Sequence, residues 1–211
     1  MIKYSKKLWY WKGHKVAWHV HPSKIDSPIA ILLVHGFGGC KEHWRYNQSI
    51  IGEISPCFSI DLIGFGESSQ PKSCLRNEDQ NKGSFIYCFD NWSQQIVDFC
   101  NEIVQKPVLL IGNSIGGVIA LKASTEIQAG CKGIILINCA QRTMDDKRLS
   151  EQSILMRISR PLVKSLVQKR WLSKNLFKSF AKPSLIKSIL KIAYPSGSNV
   201  NNELINLLYK P

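Results

Sequence analysis

The sequence lacks any run of about 18 apolar residues, so no helix long enough to span a membrane is expected. Its seven cysteines include no Cys-x-x-Cys pair, which argues against a zinc cage or a disulfide framework and favours reduced thiols. The first residues hold no apolar block before a small-residue cleavage site, so no secretory signal is expected. No Gly-x-x-x-x-Gly-Lys-Ser/Thr phosphate loop occurs either. These absences predict a cytoplasmic protein that needs neither a metal nor an organic cofactor.

The positive charge is concentrated in the last third of the chain. The 211 residues carry 28 Lys and Arg against 15 Asp and Glu, a net charge of +13. Residues 1–140 contribute +3 (14 against 11), whereas residues 141–211 contribute +10 (14 against 4). Such a basic segment can bind nucleic acid, rest on an anionic membrane, or present a solvated lysine-rich face. No nucleic-acid-binding module accompanies it, so nucleic acid is not expected, while peripheral membrane contact stays open.

The hydrophobic pattern divides the chain into an α/β part and a helical part. Over residues 1–140, short apolar runs alternate with helical patterns, which predicts a mostly parallel sheet with helices on both faces. The predicted strands are residues 16–21 (antiparallel), 29–34, 57–61, 107–112 and 133–140. One predicted helix is capped by Asp90, and another begins at Ile115. Residues 72–88 are expected to be irregular and exposed. Residues 141–211 show amphipathic helical patterns around 160–172, 183–193 and 201–209, and we interpret them as a basic lid segment.

The most informative motif is a Gly-x-Ser-x-Gly sequence formed by Gly112, Ser114 and Gly116. It lies between a predicted buried strand and a predicted helix, which is the context of a nucleophile elbow. In such a tight, strained turn the flanking residues must be small, and the serine hydroxyl projects above the sheet at the positive end of the helix. Ser114 is therefore the candidate catalytic nucleophile, and Gly112 and Gly116 are the residues that let the elbow form.

A second glycine-rich stretch, residues 34–39, follows an earlier buried strand. Acyl-transfer enzymes place part of the oxyanion hole at this point, because glycines let a backbone N–H turn toward the developing negative charge. The backbone N–H groups of Phe37 and Ile115 are the predicted donors. His35 lies beside this loop, and we interpret it as a structural histidine whose ring bonds to the backbone rather than as a catalytic base.

A third glycine-containing stretch, residues 61–71, includes a Gly-x-Gly sequence. It lacks the third glycine and the following helical pattern of a dinucleotide site, so the sequence argues against such a site. We expect a tight turn after a strand, with the Asp61 carboxylate accepting hydrogen bonds from nearby N–H groups.

These three motifs, in this order, resemble those of the α/β-hydrolase superfamily. Within it, residues 89–100, the elbow and the stretches 160–166 and 175–183 are similar to the pheophytinase-like branch of plastids and cyanobacteria. The resemblance implies an α/β-hydrolase fold with a helical lid and a serine carboxylic-ester hydrolase. It further implies a bulky apolar ester as substrate, such as the phytol ester of a chlorophyll derivative, and a place peripheral to a photosynthetic membrane.

A serine hydrolase of this order needs an acid and then a histidine after the serine. All five histidines precede Ser114, and the acids that follow the last predicted strand most closely, Asp145 and Asp146, are better read as exposed charges. The resemblance places the acid and the histidine beyond the lid, so the sheet is expected to lack its final strands and to expose an apolar edge. Catalysis is expected to be impaired, because a serine hydroxyl without an imidazole is a poor nucleophile near neutral pH.

Two explanations fit this pattern. The sequence is either a C-terminally truncated copy or a protein that kept the fold and lost the chemistry, and the intact elbow favours truncation. The functional alternative is a non-catalytic lipid- or pigment-binding homologue that rests on a membrane surface. The sequence leaves the oligomeric state open.

Overall fold

The computed structural model describes residues 7–74, 83–139, 187, 188, 190 and 201–209. The chain divides into two compact units, one of residues 1–140 with 211 and one of residues 141–210. In the first unit, six strands form one sheet in the order β1-β2-β4-β3-β5-β6. The strands are β1 (Lys7–Trp11), β2 (His14–His21), β3 (Ala30–Val34), β4 (Cys57–Ile60), β5 (Val108–Asn113) and β6 (Cys131–Ile137).

Strands β4, β3, β5 and β6 are parallel, and β2 is antiparallel to both β1 and β4. The helices of this unit are α1 (Arg45–Gly52), preceded by a 3-10 turn (Lys41–Trp44), α2 (Phe89–Phe99), continued by a π-helical turn (Cys100–Val104), and α3 (Ile115–Ala123). The predicted fold class is confirmed as an α/β architecture with a mostly parallel sheet.

Both faces of the sheet are covered, as the strand β3 shows. All five of its residues are buried. Ala30, Leu32 and Val34 belong to the larger core cluster, which includes residues of α2 and α3. The alternate residues Ile31 and Leu33 belong to a smaller cluster with Trp44 and Ile51 of the opposite face. A continuous apolar strand is therefore needed here, because successive side chains point into different cores.

Several local predictions were wrong. Strand β1 was not predicted, although its buried residues Trp9 and Trp11 pack in the larger core. Asp90 does not cap its helix, because α2 begins at Phe89 with Cys88 in the capping position. Residues 72–88 are not all exposed, since Cys74 and Phe85 are buried: the N–H of Cys74 donates to the carbonyl of Phe85, and the N–H of Phe85 donates to the carbonyl of Lys72. The ring of Phe85 packs against Trp11 of β1, a contact that the local sequence does not reveal.

The last strand of the sheet, β6, has a more open environment than the others. Ile135, Leu136 and Ile137 are 46%, 46% and 38% exposed, respectively. Among the described residues, β6 pairs with β5 alone, so its other edge carries no strand. Apolar side chains at this end of the sheet are therefore partly exposed.

In the second unit the described part is short. The helix predicted at residues 201–209 is present as α4 (Asn202–Tyr209), and its Leu204 and Ile205 are buried together with Leu190. The amphipathic patterns at residues 160–172 and most of 183–193 lie outside the described residues.

Candidate functional site

Ser114 stands between the end of β5 and the start of α3, as the motif predicts. Its backbone angles, φ 54° and ψ −121°, lie in a region that non-glycine residues rarely adopt. Such a conformation stores about 1–3 kcal/mol of strain and persists only where the surrounding structure holds it. Its side chain is half-buried rather than enclosed. The serine is thus held in a strained turn and is not fully enclosed by the described residues.

The two glycines of the motif are required by close approach of the backbone. A methyl group on Gly116 would lie 2.5 Å from the carbonyl oxygens of both Val34 and His35. A methyl group on Gly112 would collide with the backbone of Gly116 across the turn. Any larger residue would therefore push α3 away from the carboxyl end of β3.

The glycine-rich loop after β3 lies directly against the elbow. A methyl group on Gly36 would come 3.0 Å from Cβ of Ser114 and 3.0 Å from the side-chain oxygen of Asn113. Residues 36–39 form a turn in which the N–H of Gly39 donates to the carbonyl of Gly36 at 3.0 Å, and Gly38 has φ +68°. Phe37 occupies the second position of this turn, where the N–H is not part of the turn's own hydrogen bond.

The two N–H groups predicted to be oxyanion donors have no hydrogen-bond acceptor within the described residues. Neither the N–H of Phe37 nor that of Ile115 donates to a backbone or side-chain acceptor there. Ile115 is the first residue of α3, so its N–H also lies at the positive end of a helix. Two unpartnered N–H groups beside a strained serine are able to stabilise a negative oxygen.

The opposite side of the elbow is held by β6. The N–H of Ser114 donates to the carbonyl of Ile137 at 3.0 Å, and the side-chain amide of Asn113 donates to the same oxygen at 3.3 Å. The elbow is thus tied to the strand that follows it in the sheet.

His35 is a structural histidine, as interpreted from the sequence. Its Nδ1–H donates to the carbonyl of Gly36 at 2.7 Å, and its Nε2 accepts from the N–H of Leu62 at 3.1 Å. Both ring nitrogens are therefore occupied, and burial lowers the pKa of the imidazole to about 4. A neutral ring with both nitrogens bonded to the backbone cannot take the proton of Ser114.

The other four histidines do not supply a base to the serine either. Three of them lie on β2, which is three strand positions from β5, about 14 Å at the usual strand spacing. The fourth, His43, directs its Nδ1 at the N–H of Cys40, 2.9 Å away. Within the described part of the chain, no hydrogen bond joins an imidazole to the Ser114 hydroxyl.

An aromatic surface adjoins the loop, and the sequence analysis missed it. The ring of Phe37 is 79% exposed and makes an edge-to-face contact with Phe65, at a centroid distance of 5.5 Å. Phe65 contacts Trp92 of α2 at 5.8 Å. Phe37 and Phe65 come from different loops, so only the fold brings them together. An exposed aromatic ring at the glycine-rich loop after β3 can provide an apolar contact for a ligand.

The turn after β4 contains a buried ionic cluster. As expected, the Asp61 carboxylate accepts backbone hydrogen bonds, from the N–H of Lys41 at 2.6 Å and of Glu67 at 2.9 Å. The sequence did not reveal its second partner, the Lys41 ammonium, 3.1 Å away. Burial raises the pKa of Asp61, and the charge of Lys41 and the two N–H groups oppose that change. Both side chains are fully buried.

Two features, a membrane-spanning helix and a metal-binding cluster, are absent from the described residues. No helix there is both long and apolar enough to cross a bilayer. No group of three or more histidine, cysteine or acidic side chains there is arranged to hold a metal ion.

Comparison with known proteins identifies the family. A family model described as alpha/beta hydrolase fold matches residues 29–165, more than half of the chain. The chain belongs to this family. A crystal structure of an α/β hydrolase fold protein from Burkholderia ambifaria superposes with a TM-score of 0.65 at 15% identity, covering 99% of this chain and 67% of that one.

Curated relatives fall into more than one functional class. The chain is 29% identical over 126 residues to a 1-acylglycerol-3-phosphate O-acyltransferase of Sus scrofa, covering 59% of this chain and 34% of the relative. A (lyso)-N-acylphosphatidylethanolamine lipase of Mus musculus is 28% identical over 120 residues (56% and 32%). The chloroplastic pheophytinase of Arabidopsis thaliana is 25% identical over 133 residues (54% and 27%). The match thus spans about a third of each relative or less.

Proposed function

We propose that the chain carries the nucleophile half of a serine carboxylic-ester hydrolase. In this mechanism the Ser114 Oγ attacks the ester carbonyl, and the N–H groups of Phe37 and Ile115 receive the negative oxygen that forms. The observation that carries the proposal is the strained backbone of Ser114 (φ 54°) beside two N–H groups without partners among the described residues. No metal or organic cofactor takes part in this chemistry.

The proposed substrate is a bulky apolar ester, and the phytol ester of a chlorophyll derivative is one example. The exposed ring of Phe37, backed by Phe65, offers an apolar wall next to the oxyanion donors. The names of the relatives include an acylglycerol-phosphate acyltransferase, a lipase and a pheophytinase, which favours long apolar groups over small polar ones.

We propose in addition that catalysis by this chain is weak. Both nitrogens of His35 are bonded to the backbone, and all five histidines precede Ser114. Without an imidazole to take its proton, a serine hydroxyl is a poor nucleophile near neutral pH, so we expect slow turnover that proceeds through Ser114.

The experiment compares hydrolysis of short-chain and long-chain p-nitrophenyl esters by the full chain and by Ser114→Ala. Slow turnover that favours the long chain and is lost in Ser114→Ala supports the proposal. Ser124→Ala is the matched control, because Ser124 is also half-buried but has an ordinary helical backbone, φ −58°. Turnover that Ser114→Ala leaves unchanged, or that Ser124→Ala equally removes, contradicts it.

A second candidate function is non-catalytic binding of a lipid or pigment by a cytoplasmic protein at an anionic, photosynthetic membrane. It is favoured by the net charge of +10 in residues 141–211 and by the absence, within the described residues, of an imidazole bonded to Ser114. Vesicles of phosphatidylglycerol and phosphatidylcholine test it. Binding that salt weakens, without any ester turnover, favours this candidate over the hydrolase.

A further inference from the structure

Lys41 is a fully buried cation with three acidic partners. Its Nζ lies 2.6 Å from Oε1 of Glu42, 3.1 Å from Oδ2 of Asp61 and 2.8 Å from Oε2 of Glu67. Three partners match the three donors of an ammonium group. Burial by itself would lower the pKa of Lys41, but the carboxylates outweigh burial and raise it above its ordinary value. The lysine therefore stays charged inside the protein.

The backbone of Lys41 is held by the same cluster. Its N–H donates to Oδ1 of Asp61 at 2.6 Å, while Oδ2 of Asp61 accepts from the N–H of Glu67 at 2.9 Å. One carboxylate thus joins the loop after β3 to the turn after β4. Burying a charged pair is unfavourable unless its hydrogen bonds are complete, and here they are.

The other end of the same loop is attached to the same turn. Nε2 of His35 accepts the N–H of Leu62, the residue after Asp61, and Nδ1–H of His35 donates to Gly36. The loop of residues 35–41 is therefore fixed at its first residue by His35 and at its last by Lys41. Phe37, whose N–H is the proposed oxyanion donor, lies between these two anchors.

We propose that Lys41 is a positioning residue of the hydrolase site: its ion pairs with Asp61 and Glu67 fix the end of loop 35–41 and so hold the N–H of Phe37 toward Ser114. The inference rests on the proposed function for its catalytic meaning. Its structural content, a loop held by a buried cation, stands independently. An oxyanion donor is effective only when it needs no reorganisation during the reaction, which is what a doubly anchored loop supplies.

The test is hydrogen–deuterium exchange of the full chain, followed by mass spectrometry, in the wild type and Lys41→Met. We expect amides of residues 36–41 to exchange about tenfold faster or more in Lys41→Met, beyond any change in the amides of β5. Lys106→Met is the matched control, because it removes the same charge from a partly exposed lysine that lies 4.0 Å from Asp26. If exchange accelerates equally in the loop and in β5, the variant is destabilised as a whole, and this result overturns the proposal. Unchanged exchange in the loop overturns it as well.

Glu67→Gln is the second variant, in case Lys41→Met does not fold. It weakens the same anchor at a side chain that is 45% exposed, so the fold is expected to survive. A smaller acceleration of exchange that is confined to the loop supports the proposal. The absence of any acceleration in the loop contradicts it.

Covalent modification of Ser114 by a fluorophosphonate separates this inference from the proposed function. If wild-type Ser114 is modified, we expect Lys41→Met to slow the modification at least tenfold at saturating reagent, with the half-saturating concentration unchanged. An unchanged rate overturns the positioning role. If wild-type Ser114 is never modified, the proposed function fails, and the exchange experiment alone decides whether Lys41 holds the loop.

Discussion

The two sides of Ser114 differ in how they are built. On the β3 side, the polar residues His35, Lys41 and Asp61 are almost completely buried, and each makes hydrogen bonds to backbone or side-chain groups. On the β6 side, the apolar residues Ile135 and Leu136 are each 46% exposed. Polar groups are thus enclosed on one side of the serine, and apolar groups face outward on the other.

This difference indicates where the site is preorganised. A buried polar network is stable only when every member is bonded, so the β3 side has one geometry. On the β6 side, the backbone carbonyl of Ile137 accepts a hydrogen bond from the N–H of Ser114 at 3.0 Å. We therefore expect the β3 side to fix the geometry of the proposed oxyanion donors and β6 to tolerate substitution.

Asp61→Ala is expected to have the largest effect. It leaves the Lys41 ammonium buried without its innermost partner and removes the acceptor of two backbone N–H groups, so a loss of about 3–5 kcal/mol in unfolding free energy is expected. Urea denaturation measures it. Asp26→Ala is the control, because its side chain is fully exposed, and no measurable loss is expected there. A similar small change in both variants would contradict the structural role of the cluster.

Substitution of two leucines on neighbouring strands tests the difference in burial between the core and β6. Leu110 of β5 is completely buried in the larger core, and Leu110→Ala is expected to cost about 2–5 kcal/mol. Leu136 of β6 is 46% exposed, and Leu136→Ala is expected to cost less than about 1 kcal/mol. Urea denaturation measures both losses. Equal losses of unfolding free energy in the two variants would show that β6 is covered in solution and would contradict the difference between the two sides.

The pH dependence of stability tests the neutral state of His35. Its pKa is about 4 in the folded protein, below the ordinary value of 6.5, so only the unfolded chain binds its proton between these values. The contribution of His35 to the free energy of unfolding is complete above pH 6.5 and is lost as the pH falls toward 4. At pH 5 this loss amounts to about 2 kcal/mol.

His19 and His43 also have lowered pKa values, caused chiefly by burial, and they act in the same direction. The measurement is therefore the difference between the wild type and His35→Asn in urea midpoints from pH 7 to pH 5. A smaller decline in His35→Asn is expected. Identical declines would mean that His35 is not held neutral.

Ser114→Gly is expected to have the smallest effect, and it has the opposite sign. Glycine adopts positive φ without strain, so this variant should be more stable than the wild type by about 1 kcal/mol. Ser124→Gly, at a residue with φ −58°, is expected to lower stability instead. Thermal or urea unfolding of both variants gives the comparison, and a loss of stability in Ser114→Gly would contradict the strained elbow.

Local patterns in the sequence were sufficient for the central sheet and the elbow. The buried strands β3 and β5 appear as continuous apolar runs, and the Gly-x-Ser-x-Gly motif specifies a turn that few other sequences can form. The role of His35 followed from the same local context. The buried parallel strands and the elbow therefore needed no information from distant residues, whereas the strand order of the sheet was not predicted.

The missed features depend on contacts between distant residues. Lys41 looks like a surface lysine in the sequence, and its partners Asp61 and Glu67 lie 20 and 26 positions away. The contact of Phe37 with Phe65 likewise joins two loops. Strand β1 was overlooked because its exposed and charged residues conceal two buried tryptophans that pack on distant α2.

The most direct measurement compares Phe37→Pro with Phe37→Ala in fluorophosphonate modification of Ser114. Proline fits the second position of the turn at residues 36–39 and deletes the N–H, whereas alanine keeps the N–H and deletes only the ring. We expect Ser114 to be modified about 10²–10³-fold more slowly in Phe37→Pro than in the wild type, and at nearly the wild-type rate in Phe37→Ala, at saturating reagent. Equal rates in the two variants would contradict the oxyanion role of this N–H and, with it, the esterase assignment.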